Sequence, residues 1–207
     1  MNKTIQDKLN EGRQYRNFAS FEQGEEKTVE GYATTFNQPY VLWSEDRYTV
    51  REQVDPKAFE TCDMSDVIMQ YNHEGRVFAR NSNGTLQLTP DEFGLHIRAD
   101  LSGTEIGRQL YEEISGGYTT KMSFGFRVAK DEVKETEDAD GKVDVMRTIL
   151  AFEKLYDVSA VSLPANDATS ISARSYGEGA IAEVKKEIRA REERERQIER
   201  ILANCEV

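Results

Sequence analysis

The sequence predicts a mainly β protein with a few helices, an α+β chain built as an antiparallel barrel or sandwich. Three observations carry this. Short runs rich in Val, Ile, Tyr, Phe and Thr recur through most of the chain. Two short helical patterns interrupt them before a charged tail. No regular strand–helix alternation appears, as a doubly wound sheet would require.

The elements follow in order. Residues 1–14 are polar and are expected to be a flexible N-terminus. "YRNFASFE" and "TVEGYATTF" read as strands around the turn "QGEEK". "NQPYVLWSEDRYTVREQV" reads as a long loop running into a strand. "VDPKAFETC" reads as a short helix with Asp55 as N-cap and Pro56 in its first position. "DVIMQYNHEG" is a strand ending in a Glu-Gly turn, and Asn83-Gly84 marks a hairpin among three further strands. Ser102 and Glu105 form a capping-box pattern ahead of Ile106, Leu110 and Ile114, which share one helical face, and Gly116-Gly117 ends that helix. "KMSFGFRV" and "MRTILAFEKLYDVSAVSLPA" are strands joined through an acidic stretch turning at Asp140-Gly141. Residues 177–207 are densely charged, free of proline and helical in pattern.

The chain of 207 residues fits one folded body, residues 15–176, plus the tail. A net charge of −11 argues against nucleic-acid binding and against docking on anionic lipid, both of which need Lys and Arg. No apolar run is long enough to span a bilayer, and the N-terminus has no apolar signal core. A soluble, non-secreted protein is expected. Cys62 and Cys205 suggest neither a disulfide framework nor a zinc site, so no metal or cofactor is expected.

Strand periodicity isolates a small set of residues able to do chemistry. Met122, Phe124, Phe126 and Val128 share a core face; Lys121, Ser123, Gly125 and Arg127 share a small, polar one. Ser123 is either a strand serine on a solvated face or a nucleophile with room beside it at Gly125. A serine nucleophile needs a base, and the chain has two histidines. His96 alternates with Arg98 and Asp100 and reads as a surface residue. His73 follows Val67, Met69 and Tyr71 on an apolar face and sits at a core rim, as a structural histidine or a tunable base. Asp157 interrupts a segment apolar on both faces, where a carboxylate needs a partner. That partner is an imidazole or a structural cation, and Glu153 is the runner-up acid.

In this order, "EGYATTFN", "DPKAFE", "YNHEGRVFAR", "GTLQLTPDEFGLHIRADL", "KMSFGFRV" and "LYDVSAVSLPAN" resemble the prohead proteases of tailed phages, the HK97-like type, related in fold to the herpesvirus assemblins. The resemblance implies an assemblin-like closed antiparallel β-barrel surrounded by short helices. It implies a serine endopeptidase with Ser123 as nucleophile, His73 as base and Asp157 as the acidic third member, a place often held by glutamate. It implies an oxyanion hole from the backbone amides of Ala165 and Asn166. The implied substrates are the major capsid protein and its scaffold segment inside the assembling prohead, in the host bacterial cytoplasm, with autoproteolysis. The tail is then either a solvated helix or one that binds scaffold, capsid or a second copy, and that autoproteolysis removes. Three alternatives stay open: a catalytically silent capsid-assembly module, a serine-lysine hydrolase with Lys121 as base, and, weaker still, a Cys62 nucleophile with no obvious nearby base.

Overall fold

The computed structural model describes residues 14–18, 21–23, 27–45 and 47–162, with Lys186, Ala190, Glu193, Arg194, Arg196 and Gln197. Those six tail residues are helical. The rest of the predicted N-terminus and tail lies outside the described residues.

The strands are β1 (Gln14–Phe18), β2 (Phe21–Gln23), β3 (Thr28–Thr35), β4 (Tyr40–Glu45), β5 (Tyr48–Val54), β6 (Ile68–Tyr71), β7 (Glu74–Arg80), β8 (Leu86–Pro90), β9 (Gly94–Asp100), β10 (Lys121–Glu137) and β11 (Val143–Val161); α1 is Glu105–Ser115. They form two sheets. The larger runs β1-β10-β11-β5-β4, with β6 on β11 and β7 on β6; the smaller runs β2-β3-β9-β8.

The framework is the long β10–β11 hairpin. Its turn is set by Gly141 at φ 74°, where a side chain would be strained. The free edge of β11 is then shared. Val143–Ile149 pair in parallel with β5, and Asp157–Ala160 pair in parallel with β6. One face of the hairpin supplies the core. Phe124 and Phe126 stack at 4.7 Å, Phe126 meets Phe152 at 4.8 Å, and Phe152 meets Phe59 at 4.6 Å. A smaller apolar cluster at the other end holds Leu42, Trp43, Tyr48, Val50, Val143 and Val145.

The expected closed barrel surrounded by short helices does not form. The β11 edge branches to two parallel partners, and a branched sheet cannot wrap onto itself as a simple barrel. Among the described residues the two sheets are bridged at the single pair Phe36–Val54 rather than by a ladder. The helices also fall short. The "DPKAFETC" segment is a run of tight turns in which Asp55, Lys57 and Phe59 carbonyls accept from the amides three residues on. Asp55 Oδ1 does accept from the Lys57 amide at 2.8 Å, but as a turn and not as a helix cap. Only α1 is an α-helix among the fully described segments; Thr104, not Ser102, caps it by accepting from the Gly107 amide at 3.0 Å. Its buried face carries Leu110 and Ile114, each worth about 2 kcal/mol of burial. The loop expected before β5 is itself strand β4, and Asn83-Gly84 joins two sheets instead of closing a hairpin, because β7 pairs β6 and β8 pairs β9.

A buried polar knot ties four neighbouring strands. Arg147 on β11 is fully buried and donates to Asp131 on β10 at 2.7 Å, Glu52 on β5 at 2.6 Å and Gln14 on β1 at 2.8 Å. Arg147→Met would strand two buried carboxylates and should cost about 3–5 kcal/mol in urea unfolding. A loss below about 1 kcal/mol, typical of exposed pairs, would show that the knot is not a structural tie.

The segment entering β6 is held by surface carboxylates. The Lys154 ammonium, then Ser65, keeps the Asp63 carboxyl well below its usual range; the Arg80 guanidinium does the same for Asp66. Lowered folded values mean stability present above the unfolded value near ~4 and lost as pH falls through the folded values. The melting temperature should hold from about pH 7 to 5 and drop below about 4, and Asp63→Asn should shrink that drop.

Candidate active site

The site forms where β11 runs between β10 and β6. β10 carries Ser123, directly opposite Ser159 of β11, and Gly125 faces Asp157. On the far side β6 pairs in parallel, with Ala160 opposite Tyr71. The chain then turns back over β11 at Asn72-His73.

This turn explains why His73 can reach its partners. Tyr71 pairs with Glu74, leaving two residues between the strands. Asn72 has φ 50° and His73 φ 61°. Positive φ at both positions is the signature of the hairpin turn usually written Asn-Gly. Asn tolerates that region; histidine does so at a cost of about 1–2 kcal/mol. The turn thus lies two residues earlier than the Glu-Gly turn the sequence suggests. Asn72 anchors it to the end of β11. Its amide donates to the Ala160 carbonyl at 2.9 Å, and its Oδ1 accepts from the Ser162 amide at 3.1 Å. Asn72 is the residue that sequence reasoning missed, although an Asn ahead of a turn histidine was its signal.

A break in strand periodicity aims Asp157. Gly125 faces Asp157 while Phe126 faces Leu155, so Tyr156 is an extra residue, a β-bulge on β11. Leu155, Val158 and Ala160 therefore all enter the core, although their spacing is not a multiple of two. Without the bulge, Asp157 would share the core face of Leu155. With it, Asp157 turns to the side of Ser123 and Ser159. A second slip, with Arg127 opposite Lys154 and Val128 opposite Phe152, makes Glu153 the extra residue and sends it outward. The Glu153 side chain is 55% exposed and pairs with Arg127 at 3.6 Å, so the runner-up acid is not at the site.

The three side chains meet in a line. His73 Nε2 lies 2.5 Å from Ser123 Oγ, and His73 Nδ1 lies 2.5 Å from Asp157 Oδ1. Ser159 Oγ donates to the same Asp157 Oδ1 at 2.7 Å. Ser123, Asp157 and Ser159 are fully buried; the His73 side chain is 16% exposed and forms the outer edge. The Ser123 face is thus covered, not solvated as its small, polar residues suggest. An ionised carboxylate only accepts, so the His73 Nδ1 carries the proton and Nε2 presents a lone pair to the Ser123 hydroxyl. Such a line can move a proton from hydroxyl to imidazole and stabilise the resulting cation.

The other candidates lie apart. His96, on β9 in the smaller sheet, rests edge-on against Tyr32 and lies 3.9 Å from Glu30. Lys121 opens β10 opposite Val161, and no bond joins it to Ser123 among the described residues. Burial pushes the Cys62 thiol up to about 12, which keeps it a protonated, poor nucleophile. Ala165 and Asn166 lie outside the described residues. Among the described residues no cluster of three or more His, Cys, Asp or Glu is placed to hold a metal, and no helix is long and apolar enough to cross a membrane.

The turn gives a direct test. Asn72→Ala loses both the side-chain anchors and the tolerance for positive φ, and should destabilise the fold by about 2 kcal/mol in chemical denaturation. Asn72→Gly keeps the backbone freedom and should recover about half of that. Equal losses in the two variants would rule out a strained turn.

Neither the curated proteins nor the solved structures contain a match. Comparison with protein families does give one: the family described as Caudovirus prohead serine protease matches residues 16–186. That span holds β2 to β11 whole, the His73 turn and every member of the buried line, and it shows that the chain belongs to the caudovirus prohead serine protease family.

Proposed function

We propose that the chain is a serine endopeptidase that cleaves capsid and scaffold proteins within the assembling prohead, with Ser123 as nucleophile, His73 as base and Asp157 as its orienting acid. The observation that carries this reading is the bridging imidazole, 2.5 Å from a hydroxyl on one side and 2.5 Å from a buried carboxylate on the other.

The chemistry follows from the tautomer. As Ser123 Oγ attacks a peptide carbonyl, its proton passes to His73 Nε2 and an Oγ–C bond forms. The imidazolium is stabilised by Asp157, which stays ionised in a buried site where the attraction is strong. The tetrahedral intermediate collapses, the C–N bond breaks, and Nε2 returns the proton to the leaving amine. A water then attacks the acyl-enzyme by the same relay and frees Ser123. Ser123 itself is fully buried, with His73 at the outer edge of the line. Backbone amides of Ala165 and Asn166, which follow β11 in the chain, are proposed to stabilise the oxyanion.

A cleft of about 500 Å³ borders the turn, lined by Tyr71, Asn72, Glu74, Arg76, Phe78 and, from α1, Leu110. Neither His73 nor Ser123 lines it, so the cleft meets the proposed site only through the turn residue Asn72. The proposed residue division is a protease body from 15 to 176 and a charged tail from 177 to 207 that contacts scaffold, capsid or a second copy until it is cut.

Co-expression with the cognate capsid subunit tests the reading. Wild type should shorten that subunit; Ser123→Ala and His73→Ala should leave it intact, and Asp157→Asn should slow cleavage by about 10³-fold or more. Cleavage that survives in Ser123→Ala, or that is lost in Lys121→Ala but kept in His73→Ala, sinks the assignment. Intact-mass measurement tests self-cleavage: purified wild type should lose a terminal fragment with time, and Ser123→Ala should not.

A further inference from the structure

Ser159 lies beside the buried line but is not one of its three members. It stands directly across from Ser123 on the neighbouring strand and two residues from Asp157, on the same side of β11. Two adjacent buried serines invite the question of which one reacts. The geometry separates them. His73 Nε2 meets Ser123, whereas the Ser159 hydroxyl gives its proton to Asp157 Oδ1 at 2.7 Å. Ser159 is fully buried, where a hydrogen bond is electrostatically stronger than in water.

We propose that Ser159 is a positioning residue that fixes the Asp157 carboxylate and weakens its hold on the His73 proton. This rests on the proposed roles of Ser123, His73 and Asp157.

Two effects follow from one bond. The first is orientation. Asp157 Oδ1 receives His73 Nδ1–H and the Ser159 hydroxyl together, which holds the carboxylate in one rotamer with that oxygen toward the imidazole. A carboxylate on a bulged strand has no regular pleat to define its direction, so a second donor supplies the constraint. The second effect is on charge. A donor to a carboxylate draws density from the oxygen and favours its ionised form. The His73–Asp157 pair therefore binds an extra proton less tightly with Ser159 present than without it. The sign is fixed: removing the Ser159 hydroxyl raises the pH at which the pair takes up its proton.

The titratable and charged groups around the turn are Tyr71 on β6, Glu74 and Arg76 on β7 and Glu113 on α1, with Lys121 at the start of β10 and Asp157 itself. They are common to all Ser159 variants, so a difference between variants reports on residue 159 alone. The chain has two histidines, and His96 lies in the other sheet. It serves as an internal reference.

The experiment is a pH titration of histidine ring signals by NMR on the full chain labelled with ¹⁵N-histidine. Wild type, Ser159→Ala and Ser159→Thr are compared, and unchanged His96 signals establish that each variant is folded. Ser159→Ala should raise the apparent pKa of His73 by about half a unit to one unit. Ser159→Thr, which keeps a hydroxyl, should restore most of the wild-type value. In cleavage of the cognate capsid subunit, Ser159→Ala should lower kcat by about tenfold with KM nearly unchanged. An unmoved His73 titration in folded Ser159→Ala overturns the proposal. Equal shifts in Ser159→Ala and Ser159→Thr overturn it too, because they assign the effect to packing and not to the hydroxyl. Capsid cleavage that persists in Ser123→Ala defeats the protease assignment instead, and the NMR comparison then still decides the hydrogen-bond claim by itself.

Discussion

A carboxylate buried in an apolar strand is the constraint around which this structure is arranged. Asp157 is fully buried between residues that enter the core. An ionised group in such a place is tenable only with hydrogen-bond donors aimed at it. His73 and Ser159 both supply donors to the same oxygen. The need to satisfy Asp157 fixes where the His73 ring must lie, and the ring in turn places its other nitrogen against Ser123. A requirement of folding and a requirement of acyl transfer are met by the same bonds.

Two local irregularities make that arrangement possible. The bulge at Tyr156 turns Asp157 out of the core face it would otherwise share with Leu155. The tight turn at Asn72-His73 brings an imidazole over β11, at the expense of positive φ at a histidine. Strain of that kind persists only where the surroundings over-determine it. Here the Ala160 carbonyl and the Ser162 amide hold Asn72, and Asp157 holds His73. Away from the site, the Arg147 knot ties β1, β10, β11 and β5 together along the same hairpin that carries Ser123 and Asp157.

Much of this was legible in the sequence, and the failures have physical reasons. The strand-rich body, the β10–β11 hairpin turning at Asp140-Gly141, and the core face Met122–Phe124–Phe126–Val128 follow from period-two alternation and turn chemistry. Ser123, His73 and Asp157 stood out as a serine with space beside it, a histidine at a core rim and an acid in an apolar strand. Their proximity was not readable from faces alone, because a bulge inverts every face beyond it. The same bulges explain why Glu153, of the same parity as Asp157, points to solvent. The closed barrel failed because the partners of β11 are long-range choices that no local pattern encodes, and both are parallel. The helix expected at Asp55 failed because a capping residue and a proline also suit tight turns.

The account stands on one proton held between His73 Nδ1 and Asp157. A low-temperature proton NMR spectrum of the full chain observes it directly. A strongly deshielded ring N–H signal should appear in wild type, persist in Ser123→Ala and vanish in Asp157→Asn. Its absence from wild type, or its survival in Asp157→Asn, would contradict the arrangement on which the proposed chemistry depends.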